Sequence, residues 1–158
     1  LPRLLTGIHD TVHLDFHTGL GKSGAAKLLL DYPPTAQQRQ RLIDWYGKNA
    51  FETNDQSEVA YACNGSFGNW CVSRNLTPQY LYACAEIGTY HPLRALAALR
   101  AENQSFHFSE PNDPATRIAK QNLLEIFCPA SASWRNHVIK RSLEMIQQTT
   151  TGLSQAKS

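Results

Sequence analysis

The sequence predicts an α/β fold in which strands and helices alternate in layers. Three observations carry that reading. Val12-His13-Leu14-Asp15-Phe16 alternates apolar and polar side chains, the period of a half-buried strand. Tyr80-Leu81-Tyr82-Ala83-Cys84-Ala85 is a short apolar run rich in strand-favouring residues. Around them lie helix starts with their own signatures, a capping box and two prolines suited to a first helical turn.

Taken in order, the first strand stops at His17-Thr18-Gly19-Leu20-Gly21, where two glycines permit a sharp exit turn. Ala25 to Tyr32 is a second strand, ended by Pro33-Pro34. Thr35 with Gln38 forms a capping box, and Leu42, Trp45 and Tyr46 follow at helical spacing, so a helix is expected from Thr35 to Tyr46. Phe51 to Asn75 has no clear period and is rich in Asn, Gly and Ser. It reads as a long loop with room for one short strand. The strand at Tyr80 ends at Glu86-Ile87-Gly88-Thr89. Pro92 opens a helix to about Asn103, with Leu93, Leu96 and Ala97 on one face. After a loop at Ser109–Pro114, Asp113 and Pro114 start a helix carrying Ile118, Ala119, Leu123, Ile126 and Phe127, stopped by Pro129. A last helix, Ser133 to Gln148, presents Trp134, Val138, Ile139 and Ile146. Thr149–Ser158 is polar and expected to fray. Residues 1–150 therefore read as one folded piece and 151–158 as a flexible tail.

Composition narrows the function classes. At 158 residues, 42% apolar and 18% charged, the chain has material for one core, as a domain or a large piece of one. The formal charge is +2, with Lys and Arg scattered, so no nucleic-acid partner is expected. No apolar run approaches the ~20 residues of a membrane-spanning helix. A cytoplasmic location without a membrane partner is the expectation. The chain opens on Leu1, with a first segment too short for a signal peptide, so we expect a removed leader or a fragment. None of the four cysteines forms a Cys-x-x-Cys pair, which argues against a zinc knuckle. Cys84 reads as a buried thiol. Cys63 and Cys71 are either a disulfide or two free thiols, with free thiols favoured.

Sites in α/β sheets form where strands end at their carboxyl edge. Two strands here end in an ionisable residue followed closely by glycine: His17 before Gly19, and Glu86 before Gly88. A histidine and a carboxylate at adjacent strand ends suit a metal ligand beside a general base. Taken alone, each is more often a solvated or hydrogen-bonded surface residue. His9, His13 and His17, four apart, would stack on a helix, but the strand pattern separates His13 from His17 by roughly 13 Å at ~3.3 Å per residue. One metal cannot bridge that gap. Asp15 shares a face with His17 and would support it as a carboxylate behind the ligand, or face a partner. His91 lies near the Glu86 turn and could line the same cleft. His107, in a loop, and His137, on a helix, have no neighbours in sequence that make a site.

Leu14-Asp15-Phe16-His17-Thr18-Gly19-Leu20-Gly21 resembles the Asp-Leu-His-Thr-Gly-Leu-Gly segment of the DUF2817 family. Ala85-Glu86-Ile87-Gly88-Thr89-Tyr90 resembles that family's Glu-Phe-Gly-Thr-Tyr, and Leu99–Asn103 and Phe127-Cys128-Pro129 with Trp134 resemble its carboxy-terminal half. The family is related to M14 zinc carboxypeptidases and to the aspartoacylase and succinylglutamate desuccinylase group. The resemblance implies a mixed central sheet flanked by helices, one zinc ion, His17 as a zinc ligand, Asp15 as its neighbour, and Glu86 as general base in hydrolysis of a small peptide or an N-acyl amino acid. It also implies two further ligands, a His-x-x-Glu segment upstream of the Asp-x-His strand. Only eleven residues precede Val12, and His9 is followed by Asp10, Thr11 and Val12. The expectation is therefore the carboxy-terminal part of a catalytic domain, incomplete at its amino-terminal side, that binds zinc weakly and is inactive alone. A metal-free remnant serving as a binding module is the rival of another class.

Overall fold

The computed structural model describes residues 2–53 and 65–156. Among them, four strands form one sheet: β1 (Asp10–Gly19), β2 (Ala26–Leu30), β3 (Phe51–Thr53) and β4 (Gln79–Gly88), in the order β1-β4-β2-β3. Five helices accompany the sheet: α1 (Ala36–Tyr46), α2 (Phe67–Ser73), α3 (Pro92–Phe108), α4 (Pro114–Phe127) and α5 (Ala132–Gln155). The fold is α/β, as expected.

The sheet is mixed. β2 and β3 are parallel, with Leu28, Leu29 and Leu30 opposite Phe51, Glu52 and Thr53. From β1 to β4, His13 contacts Tyr80 and Asp15 contacts Tyr82, both 67 residues apart, so the two strands advance in the same direction. Between β2 and β4 the contacts run the other way: Gly88 N–H donates to Ala25, while the Tyr32 hydroxyl reaches Tyr82. β4 is buried on both faces. Leu81, Ala83, Ala85 and Ile87 point to one side and are essentially inaccessible; Tyr80, Tyr82 and Glu86 point to the other and are also buried.

By its internal contacts the chain divides into two compact units. One comprises Leu1–His17, Lys27–Ala85 and Arg141–Ser158, the other Thr18–Ala26 and Glu86–Lys140. The division falls within β1, β2, β4 and α5 and not in a linker. In the first unit Leu28, Leu30 and Leu42 are fully buried, and the Tyr32 hydroxyl donates to the Tyr82 carbonyl at 2.9 Å. In the second, Thr89 Oγ1 donates to the Gly19 carbonyl at 2.9 Å, and Trp134 Nε1 donates to that of Gly88 at 3.1 Å.

The helix starts follow the sequence signals. Thr35 caps α1 through a complete capping box, with Gln38 N–H donating to Thr35 Oγ1 and Thr35 N–H to Gln38 Oε1. Asp113 caps α4 by accepting from Ala115 N–H at 2.9 Å. Thr35→Ala removes one half of the reciprocal cap and should cost about 1 kcal/mol. A differential scanning calorimetry midpoint lowered by about 2–4 °C is the expected result.

Several element ends differ from expectation. α5 continues to Gln155, so residues 149–155 are helix and not a frayed tail. The reason is tertiary: Thr149 is buried and hydrogen-bonds Tyr46, and Gly152 lies flat against the Trp45 ring. Polar composition cannot report that contact. α3 runs past Asn103 to Phe108, because nothing before the Ser109-Glu110-Pro111 stretch breaks it. His107 is thus helical, not in a loop. The 51–75 stretch contains β3 and the helix α2, whereas a loop with one strand was expected. Cys71 is a buried free thiol, while Cys63 lies outside the described residues. The apolar stripes on the last three helices are only partly covered. Ala119, Ile126 and Met145 are buried, but Leu93, Leu96, Ile118, Ile139 and Ile146 are exposed. Helical period marks an apolar face without saying what covers it.

Candidate metal centre

The period of two along a strand puts Asp15 and His17 on one face of β1, and Tyr82, Cys84 and Glu86 on one face of β4. Since β1 and β4 are neighbours, these faces meet. His17, Cys84 and Glu86 each offer one donor atom, and the three atoms lie within 4.8 Å of one another. The two strand-end residues singled out in the sequence are therefore brought together, and Asp15 stands beside His17 as expected.

The surroundings hold each group in place. His17 Nε2 lies 3.1 Å from Asp15 Oδ2. The same Asp15 oxygen accepts from the Tyr82 hydroxyl at 2.9 Å. Burial, and then the adjoining Asp15 carboxylate, raise the Tyr82 phenol far above its ordinary range, so it remains a donor. Glu86 is 7% exposed, and its Oε1 accepts the backbone N–H of Leu20 at 2.8 Å. That bond to the exit turn of β1 fixes the carboxylate's orientation. The turn takes a positive backbone angle at Gly21, which glycine permits.

Cys84 is the residue that sequence reasoning missed. It was read as a buried thiol within an apolar run, but it is only half-buried and stands in the cluster. The signal was present: Cys84 and Glu86 are two residues apart on one strand, and so share a face.

The remaining histidines serve elsewhere. His9 pairs with Asp10 at 2.9 Å, and His13 hydrogen-bonds the Tyr80 hydroxyl at 2.9 Å, so the His9/His13/His17 spacing makes no stripe. His91 caps α3 by accepting from Leu93 N–H. His137 contacts the Gly24 carbonyl at 2.8 Å and helps line a cleft of about 640 Å³ in the second unit. Lys22, Thr89, Tyr90, Ser131 and Trp134 also line it, the tyrosine only four residues beyond Glu86.

A family model described as a protein of unknown function, DUF2817, matches residues 1–141. The chain belongs to the DUF2817 family. No curated protein and no solved structure matches it. The segments that make up this DUF2817 centre, Asp15–His17 on β1 and Cys84–Glu86 on β4, both fall inside the matched region. No helix among the described residues is long and apolar enough to cross a membrane.

Proposed function

We propose that this DUF2817 chain carries metal-binding and catalytic residues of a zinc-dependent hydrolase of the carboxypeptidase-like type, acting on peptide or amide bonds. The observation behind the proposal is the convergence of His17, Cys84 and Glu86 at the carboxyl ends of two neighbouring strands.

The donor set fits zinc. Imidazole, thiolate and carboxylate are its usual protein ligands, and in a tetrahedral site such atoms stand about 3.3–3.8 Å apart. A separation within 4.8 Å needs only a modest closing movement to reach that. Asp15 Oδ2 lies 3.1 Å from His17 Nε2, within reach of serving as the carboxylate partner that a metal-bound histidine ordinarily has. When bound, zinc polarises a carbonyl and acidifies a water.

The chain's own residues supply the rest. His17 holds the ion, oriented by Asp15. Glu86, buried and anchored by Leu20, accepts a proton from water and delivers it to the leaving amine. Cys84 adds a soft donor beside them. Small peptides and N-acyl amino acids are the substrate classes to assay.

Metal analysis and calorimetric titration test the reading. Weak but measurable zinc binding is expected of this chain alone. Cobalt substitution should give the near-ultraviolet charge-transfer band of a thiolate ligand. His17→Ala should weaken zinc binding by at least ~10-fold, the lower end of what disturbing a ligand's support alone costs. A protein that takes up no zinc, or binds it equally well without His17, removes the proposal.

A further inference from the structure

We propose that Tyr82 is a positioning residue for His17, acting through Asp15. The inference rests on the reading of His17 as a metal ligand, and its observations all lie in the first unit. Asp15 Oδ2 accepts the Tyr82 hydroxyl at 2.9 Å and lies 3.1 Å from His17 Nε2, so one carboxylate oxygen touches both groups. The His17 end is soft and the Tyr82 end is rigid. The His17 side chain is 53% exposed and the Asp15 side chain 31%, whereas Tyr82 is 4% exposed. An imidazole and a carboxylate that open to water rotate unless something fixes them.

The Tyr82 ring is fixed from three sides. A Cβ at Gly68 would stand 2.2 Å from Tyr82 Cε1 and 2.3 Å from Cδ1, so only glycine lets α2 approach the ring this closely. His13 and Phe67 meet the same ring edge-on, at centroid distances of 5.0 and 6.1 Å. The backbone is tied as well, since the Tyr32 hydroxyl donates to the Tyr82 carbonyl and accepts from its N–H. A phenol held this way places its hydroxyl at one point. It pins one carboxylate oxygen, and that oxygen selects the ring orientation and tautomer of His17.

The experiment compares the wild-type chain with Tyr82→Phe, which deletes only the hydroxyl and keeps the ring's packing. Tyr80→Phe serves as control, because it removes the equivalent hydroxyl one pleat away, on His13. Two readouts are taken. Nitrogen-15 spectra of the histidine rings without metal, assigned with His17→Ala, should show His17 as the Nε2–H tautomer in wild type and in Tyr80→Phe. In Tyr82→Phe they should show a mixture of tautomers. Zinc titration should give a dissociation constant about 10-fold or more higher in Tyr82→Phe, in the range expected when a ligand's supporting partner is lost. A merely structural tyrosine would change the melting midpoint without moving the His17 tautomer. If Tyr82→Phe keeps the wild-type tautomer, the positioning role is wrong. If wild type binds no zinc, the metal reading fails, and the tautomer comparison still decides what Tyr82 does.

Discussion

Gly88→Ala should be among the most damaging single substitutions in this protein, lowering stability by about 3 kcal/mol, the upper part of the range for forcing atoms into a packed interior. A Cβ at that position would stand 2.2 Å from the Lys22 carbonyl oxygen and 2.7 Å from both C and O of Gly21. These are backbone atoms, which cannot swing aside as a side chain can. The glycine is needed for space, not for an unusual backbone angle: Gly88 is absent from the positive-φ positions. To make room, the 21–25 segment must part from the end of β4. That movement stretches the 2.9 Å bonds from Gly24 N–H to the Gly88 carbonyl and from Gly88 N–H to the Ala25 carbonyl. It also disturbs the Trp134 indole, which donates to the same carbonyl. A melting midpoint lowered by about 6–12 °C is expected for a chain of this size. A variant that melts with the wild type would show that the turn is looser than its contacts imply.

The same crowding explains which parts of the site could be read from sequence. His17 and Glu86 stood out because each ends a strand and a glycine follows two positions later. Strand alternation placed Asp15 on the His17 face, and the structure puts the two side chains 3.1 Å apart. Cys84 and Tyr82 were hidden for the opposite reason. β4 is covered on both sides, so its sequence is continuously apolar and its alternation is masked. Within such a run, a cysteine reads as core and a tyrosine as strand propensity, although both share a face with Glu86. Which strand lies beside β4 was also illegible, because pairing over 67 residues leaves no local trace. Helix starts were legible at Thr35, Pro92 and Asp113, since caps are local chemistry. The end of α5 was not, because the contacts that carry it past residue 148 come from Tyr46 and Trp45, about a hundred residues away.

Glu86→Gln should separate the two roles that a carboxylate in this cluster can play. The substitution keeps size and shape, and the amide oxygen can still accept from Leu20 N–H, so the side chain should stay where the carboxylate lies now. What it loses is the capacity to take up a proton. If Glu86 is the general base, then in a protein that also carries the His-x-x-Glu ligands, zinc content should be unchanged and kcat for peptide or N-acyl amino acid hydrolysis should fall by about 10²–10⁴, the usual contribution of a positioned base. KM should move little, because substrate contacts are retained. Turnover near the wild-type rate would take Glu86 out of the proton transfer. Loss of zinc along with turnover would instead make Glu86 a ligand in company with His17 and Cys84, which the present separation of the three donors equally accommodates. Pairing the kinetics with metal analysis on the same preparation distinguishes these outcomes. His17→Ala supplies the reference in which metal and turnover are lost together.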